Sequence, residues 1–81
     1  MRRMIPSTAA LTAFEAAARH SSFTAAAHEL SLTQGAVCRQ IGALEGFLRT
    51  DLFRRAGRGV VLTEAGHAAL RQADQIFALG E

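Results

Sequence analysis

The sequence predicts a small, mainly α-helical domain that carries one β-hairpin. Apolar residues recur at helical spacing in three successive segments, two strand-like runs then flank a glycine-rich tetrapeptide, and a fourth helical pattern follows. The chain has 81 residues, of which 49% are hydrophobic and 20% charged. This composition favours one folded domain with a single core over a disordered chain.

The first helix is expected to begin at Ser7 or Thr8, because both hydroxyl residues are good helix caps. Leu11, Phe14 and Ala18 then recur at intervals of three and four, which places them on one side of a helix. The pattern stops at residues 20–22, where a break is expected.

A second helix over residues 24–30 is predicted, with Ser22 as its cap and a turn at residues 31–32. Small residues would let another helix approach closely, and two leucines would fill the inside of the turn. These four residues are Ala26, Ala27, Leu30 and Leu32.

Thr33 is expected to cap a third helix, which completes a helix-turn-helix. Its core-facing stripe consists of Val37, Ile41, Leu44 and Leu48. At 100° per residue, the opposite face consists of Gly35, Arg39, Gly42 and Gly46. Each interior glycine costs about 1 kcal/mol relative to alanine, so tertiary packing must hold this helix.

Two interpretations of this motif stay open at this point. The first turn and outer side of the third helix are free to enter a groove of DNA, with Arg39 as the one charged side chain on that face. The glycines would then let the backbone approach a sugar-phosphate wall. An ordinary helical hairpin has the same apolar spacing, with the glycines as a tolerated surface.

A β-hairpin is predicted from the runs 52–55 and 60–63, with residues 56–59 as its turn. Arg54, Arg55 and Arg58 concentrate positive charge near its tip. A hairpin directly after a recognition helix is a wing, and arginines on a wing suit phosphates or a narrow minor groove. A simple solvated hairpin is the alternative.

Thr63 is expected to cap a last helix with a broad apolar side. The residues expected to contact a partner helix across a two-fold axis are Ala65, Ala69, Ala73, Ile76 and Phe77. The alternative is that this helix packs back on the first one. We accordingly divide the chain into a DNA-binding domain, residues 1–62, and a linker helix for dimerisation, residues 63–81.

Charge and cysteine usage narrow the class of protein. The formal charge is +2, and all nine basic residues are arginine, whose planar fork suits phosphates and guanine edges. A single cysteine, Cys38, excludes an internal disulfide. Because no secretory signal follows Met1 and no run approaches the roughly twenty apolar residues of a membrane span, we expect a cytoplasmic protein without a membrane partner.

An enzyme is the least favoured class. Cys38 with His20, His28 or His67 offers a nucleophile and bases, but no pair has the close spacing of a zinc site and no glycine-rich phosphate loop occurs. We therefore expect no catalytic residue, no metal and no cofactor. A protein-interaction module that uses this fold only to dimerise is a further alternative, and its binding would depend less on salt than binding to DNA.

The residues resemble those of the amino-terminal domain of LysR-type transcriptional regulators over about residues 9–77. The motifs that carry the resemblance are Phe14, Ser22-Phe23-Thr24, Ala26-Ala27, Leu32-Thr33-Gln34, Ala36-Val37, Arg39-Gln40-Ile41, Leu44-Glu45, Leu52-Phe53, Arg55, Gly57-Arg58-Gly59 and Leu62-Thr63-Glu64-Ala65-Gly66.

The resemblance implies a winged helix-turn-helix with a linker helix, which binds a pseudo-palindromic site in bacterial promoter DNA as a homodimer, with a tetramer open to the full-length protein. A small-molecule effector would act only through a domain that this chain lacks, so we expect the chain to be a fragment. The expected DNA contacts are Ser22, Thr24, Thr33, Gln34, Gly35, Cys38, Arg39, Arg54, Arg55 and Arg58.

Three positions depart from the family pattern. Gly35 replaces a usual proline, so the first turn of the third helix is expected to be looser. Cys38 replaces a usual serine, which is a better hydrogen-bonding group. Gly42 replaces an often basic residue, which removes one phosphate contact. These departures bear on affinity more than on fold.

Overall fold

The computed structural model describes residues 7–79, and the side chains of residues 7–75. Its elements are helices α1, α2 and α3, strands β1 and β2, and helix α4. Their bounds are α1 Thr8–His20, α2 Phe23–Leu30, α3 Gln34–Leu48, β1 Phe53–Ala56, β2 Gly59–Leu62 and α4 Glu64–Leu79. The predicted fold class, a helix-turn-helix followed by a β-hairpin wing and a further helix, is confirmed.

Each of the four helices starts at a serine or threonine whose hydroxyl accepts a hydrogen bond from the backbone three residues later. The caps are Ser7, Ser22, Thr33 and Thr63, with N···Oγ distances of 3.0–3.1 Å. Such a bond satisfies one of the amide groups that a helix start leaves without an intrahelical partner. The four predicted helix starts are therefore correct to within one residue.

The helix ends are less regular than the starts. Ser21, Ser31 and Arg49 follow α1, α2 and α3 in the left-handed region, with φ of 54°, 57° and 58°. This conformation costs a residue that has a Cβ roughly 1 kcal/mol, so glycine is the usual residue at such helix ends. The break that the sequence predicts after α1 is thus a left-handed cap rather than a loop.

The core lies where α1 meets α2, α3 and the hairpin. It includes Ala13, Phe14, Ala26, Val37 and Ile41, each at most 2% exposed. Small alanines on α1 and α2 let the three helices approach closely, and the sequence predicts this for Ala26 and Ala27 of α2.

Two predicted core positions are wrong. Leu32 is 45% exposed because the left-handed Ser31 reverses the chain between the two leucines of the turn, and only Leu30 packs against the core. Leu48 is 41% exposed because it ends α3 at the mouth of an open groove between α1, α3 and α4, next to the exposed Phe47.

The hairpin is antiparallel and pairs Phe53 with Leu62 and Ala56 with Gly59. Gly57 opens its two-residue turn with φ of 58°, the region that glycine adopts without strain. The strands are shifted by about one residue from the predicted runs, because Leu52 precedes the ladder and Ala56 takes part in it.

Aromatic packing fixes the hairpin on the helices. The ring of Phe53 meets Phe14 and Phe23 edge to face, with centroid distances of 5.6 and 5.3 Å. Such pairs add about 0.5–1.5 kcal/mol beyond the area they bury. The wing is thus held by α1 and α2, on which Phe14 and Phe23 lie.

Helix α4 packs back on the domain. Ala73 is 2% exposed in the core, and Ala65, Ala69 and Leu70 pack against it. Ala73 is therefore a core residue, which corrects its assignment to a partner surface. None of the helices in residues 7–79 combines the length and apolar character that crossing a bilayer requires.

Glycine 66 is required where α4 begins, because a Cβ there would lie 2.2 Å from the carbonyl oxygen of Leu52. We expect Gly66→Ala to lower the free energy of unfolding by about 3 kcal/mol, since backbone must move. The control is Gly46→Ala, a helical glycine with open space around it, which should raise that energy by about 0.5–1 kcal/mol. Urea unfolding of both variants tests this, and equal effects would contradict it.

An exposed ion-pair cluster joins α1 to α2. Arg19 contacts Glu15 at 2.9 Å and Glu29 at 2.8 Å, and His20 Nε2 lies 2.6 Å from Glu29. The hydrogen bond from Arg19, followed by that from His20, lowers the pKa of Glu29 to about 2 from its ordinary 4.5. The charged form of Glu29 is therefore favoured in the folded state.

This cluster predicts a pH dependence of stability. A depressed folded-state pKa contributes stability that is complete above pH 4.5 and is lost as the pH falls towards about 2. Glu29→Gln should therefore destabilise the domain at pH 7, and this effect should become small as the pH falls through about 2. Thermal unfolding of both proteins between pH 2 and pH 7 measures this difference in stability. The control is Glu29→Gln made in an Arg19→Gln variant, where the difference should be smaller because the ion pair is already absent. A difference that stays constant with pH would contradict the assignment.

Candidate nucleic-acid interface

Helix α3 has one buried side and one exposed side in its first two turns. Val37 and Ile41 are buried, whereas Gln34, Cys38 and Arg39 are exposed. Thr33 caps the helix by accepting from the Ala36 amide at 3.0 Å. The helix start therefore projects polar side chains outward on a backbone that the core holds in place.

Beyond the side chain of Arg39, the outward face of α3 is open at its two later glycines. A Cβ at Gly42 or Gly46 would meet no atom within 4 Å, as the predicted half-turn offset from the buried stripe requires. At Gly35 it would lie 3.5 Å from Nη1 of Arg39, so the guanidinium lies over the first turn. A flat ligand wall could approach this backbone closely.

Helix α2 contributes one contact to this surface. The hydroxyl of Thr24 donates to Oε1 of Gln34 at 3.2 Å, and both side chains are exposed. Ser22 is half-buried, and its hydroxyl accepts from the Ala25 amide at 3.0 Å. Ser22 and Thr33 thus have structural roles as caps, whereas Thr24 lies at the surface beside Gln34.

The wing carries three exposed arginines, Arg54 and Arg55 on β1 and Arg58 in the turn. A shallow depression separates the wing from α3, and Glu45 and Asp51 line it together with Arg54 and Arg55. The base of the wing is thus mixed in charge. Arg58 lies outside this depression, in the turn that forms the tip.

The arginines of the candidate interface are available for a ligand. Within residues 7–75, the basic partners in ion pairs are Arg19 and His20, both in the last turn of α1. All four arginines of this surface therefore pair with no described carboxylate, namely Arg39, Arg54, Arg55 and Arg58. The same holds for Arg49 and Arg71 elsewhere in the described residues.

Glu45 connects α3 to the wing, a role that the sequence reasoning missed. Its Oε2 accepts from the backbone amide of Leu52 at 2.8 Å, just before β1. Leu52 is fully buried, and its carbonyl accepts from the Thr63 amide at 3.0 Å. No local sequence pattern predicts a hydrogen bond between a side chain and a backbone amide seven residues later. The only signal is that Glu45 is the one acidic residue of α3.

The predicted partner surface on α4 is only partly described. Ala65 and Ala69 are half-buried against their own domain. The side chains of Ile76 and Phe77 lie outside the described residues. An apolar groove of about 200 Å³ opens between α1, α3 and α4, and Phe47 and Leu48 line it. The structure thus leaves an apolar patch beside α4.

The exposed groups of this surface include one thiol. Cys38 is an exposed free thiol. Among residues 7–75, no three His, Cys, Asp or Glu side chains come together as a metal site would require. The surface presents amide, hydroxyl, thiol and guanidinium groups, with the carboxylates of Glu45 and Asp51 at the base of the wing.

Residues 8–67 match a family described as bacterial regulatory helix-turn-helix proteins, lysR family. The chain is 49% identical over 77 residues to the glycine cleavage system transcriptional activator of Escherichia coli, which covers 95% of this chain and 25% of that relative. It is 54% identical over 66 residues to the HTH-type transcriptional regulator TrpI of Pseudomonas aeruginosa, and this match covers 82% of this chain and 22% of that relative. The chain thus spans about a quarter of the length of these relatives.

Solved structures agree with the sequence match. The CbnR DBD in a crystal structure with DNA superposes with a TM-score of 0.84 and 40% identity, covering 89% of this chain and 83% of that one. The BenM DBD bound to benA site 1 DNA gives a TM-score of 0.81 and 34% identity, covering 86% and 79%. Both neighbours were crystallised with DNA.

The bond from Glu45 predicts a local effect on the wing. Glu45→Ala should lower the free energy of unfolding by about 1.5–3 kcal/mol, because the Leu52 amide loses a charged acceptor. Hydrogen exchange at the Leu52 amide should also accelerate. Glu45→Gln keeps an acceptor and should restore most of the protection. Equal protection of Leu52 in the native chain and in Glu45→Ala would show that the bond does not hold this junction.

Proposed function

The chain belongs to the lysR family of bacterial regulatory helix-turn-helix proteins, and on that premise we propose that it binds double-stranded promoter DNA sequence-specifically as part of a transcriptional regulator. One observation carries the proposal: the exposed start of α3 and the wing together present four arginines that pair with no described carboxylate. The DNA-bound CbnR and BenM neighbours support it.

In this proposal α3 enters the major groove by its N-terminal turns. Gln34 and Arg39 would contact base edges, and Cys38 would lie against the groove floor. The open space at Gly42 and Gly46 supports a close approach of the helix backbone to the sugar-phosphate wall. Ser22 and Thr33, which are also predicted DNA contacts, would bind DNA through their backbone amides while their hydroxyl groups cap α2 and α3.

The wing would lie along the flanking backbone or minor groove. Arg55 and Arg58 are exposed and need no partner within the domain, so phosphates can neutralise them without breaking an internal ion pair. Such contacts position the protein and carry no base information of their own.

We further propose that the partner protein is a second copy of the chain, joined through α4. Duplex DNA with inverted half-sites favours a two-fold dimer. The exposed Phe47 and Leu48 beside α4 support an apolar contact there. Higher assembly and response to an effector belong to the longer protein. The role is one of binding rather than catalysis, in the cytoplasm where bacterial DNA lies.

Selection from a pool of random duplexes at low and moderate salt tests the proposal. Sequence-specific binding should enrich one motif with inverted halves, and its affinity should fall steeply with salt because phosphate contacts release counterions. Salt-sensitive retention without a motif would contradict base reading. No retention at all would favour a protein-interaction module instead.

Single substitutions should separate base reading from backbone binding. Gln34→Ala and Arg39→Ala should each cost about 1–3 kcal/mol of discrimination at particular base pairs. Arg55→Ala should weaken binding to all duplexes alike and reduce the salt slope by about one unit. Titration of a selected duplex and a scrambled duplex at several salt concentrations measures both effects.

Arg71→Ala is the matched control, since it removes the same charge from an exposed position on α4. It should change neither discrimination nor, beyond a small uniform effect, affinity. If Gln34→Ala and Arg39→Ala reduced binding to selected and scrambled duplexes equally, their assignment as base-reading residues would be wrong.

A further inference from the structure

We propose that Thr24 is a positioning residue that fixes the side-chain amide of Gln34, so that Gln34 offers hydrogen-bond donors rather than an acceptor to the DNA. This inference rests on the proposed function, because it concerns how the α3 surface reads a base. The base edge that Gln34 would select is then that of guanine or thymine in the major groove.

The geometry places the two side chains in a fixed relation. Thr24 is the second residue of α2 and Gln34 the first of α3, and the Thr24 hydroxyl donates to Oε1 of Gln34 at 3.2 Å. Both helix starts are held by caps, at Ser22 and Thr33. Because the helices themselves are anchored in the core, the hydrogen bond orients the Gln34 amide and not the helices.

A glutamine amide has two ends with opposite hydrogen-bonding character. When it is free to turn, it presents Oε1 and Nε2 side by side, which suits adenine with its N7 acceptor and N6 donor. When Oε1 accepts from Thr24, the two Nε2 hydrogens are the groups left for a ligand. They match edges made of acceptors, which are O6 and N7 of guanine or O4 of thymine.

Another role for Thr24 predicts a different pattern. An exposed hydroxyl at a helix start could contact a phosphate by itself, and its loss would then weaken binding to every sequence alike. A hydroxyl that acts through Gln34 affects the choice of base instead. Its removal should have no further effect once Gln34 is gone.

The experiment repeats the random-duplex selection with five forms of the 81-residue chain: the native sequence, Thr24→Val, Thr24→Ser, Gln34→Ala and the double variant Thr24→Val/Gln34→Ala. Thr24→Val keeps the shape and removes the hydroxyl. At the base pair that Gln34 contacts, this variant should prefer guanine or thymine roughly 2- to 10-fold less and should shift selection towards adenine. This factor corresponds to the net contribution of one neutral hydrogen bond. Thr24→Ser keeps the donor and should retain the native preference.

The double variant distinguishes the two roles. If Thr24 acts through Gln34, the double variant and Gln34→Ala should select the same motif with the same affinity. If Thr24→Val instead weakens all duplexes equally, and does so again in the Gln34→Ala background, Thr24 contacts DNA itself and the proposal is wrong. A native motif with adenine at that position would also overturn it.

Failure of the proposed function has its own signature. If the native chain enriches no motif, sequence-specific binding fails and this inference fails with it. If the native chain enriches a motif that Thr24→Val leaves unchanged, only the positioning role is overturned. Unfolding midpoints of the variants report on folding, and Thr24→Ala, a better helix former, replaces Thr24→Val should the valine variant prove unstable.

Discussion

The position of the wing depends on the backbone of Leu52, where α3, the hairpin and α4 meet. Its amide donates to Glu45, its carbonyl accepts from the Thr63 amide, and Gly66 lies against that carbonyl. The side chain is fully buried. A buried peptide group must find partners or cost about 1–3 kcal/mol, so this junction fixes three elements at once. The spacing between α3 and the wing, on which a two-part interface depends, follows from it.

The domain separates residues that hold the fold from residues that meet a ligand. Phe53 contacts two other aromatic rings below the wing, while Arg54 and Arg55 next to it are exposed. In α3, Val37 and Ile41 face the core and Gln34 and Arg39 face outward. This separation lets the binding surface vary without a cost in packing, because function is carried by side chains on a rigid scaffold.

The sequence predicts where α1, α2 and α3 begin and end, but it does not predict the backbone conformation at their ends, for a physical reason. The hydroxyl of a serine or threonine cap accepts a hydrogen bond from the amide three residues later, so a helix start can be predicted from a short stretch of sequence. The ends at Ser21, Ser31 and Arg49 use left-handed backbone at residues other than glycine, which only the surrounding structure enforces. Helical periodicity also fails to predict that Leu48 is exposed and Ala73 buried. Both depend on how far α1 covers α3 and α4. Among the candidate site residues, exposure was predictable from periodicity, whereas the bond between Thr24 and Gln34 needed the relative placement of two helices.

The central claim is that the start of α3 and the wing form one surface that meets DNA. Amide chemical shifts of the labelled chain, followed by NMR while a selected duplex is added, test this most directly. The largest changes should fall on residues 34–39 and 54–58. Changes centred on the groove beside Phe47, with little change at residues 34–39 and 54–58, would contradict a shared DNA surface.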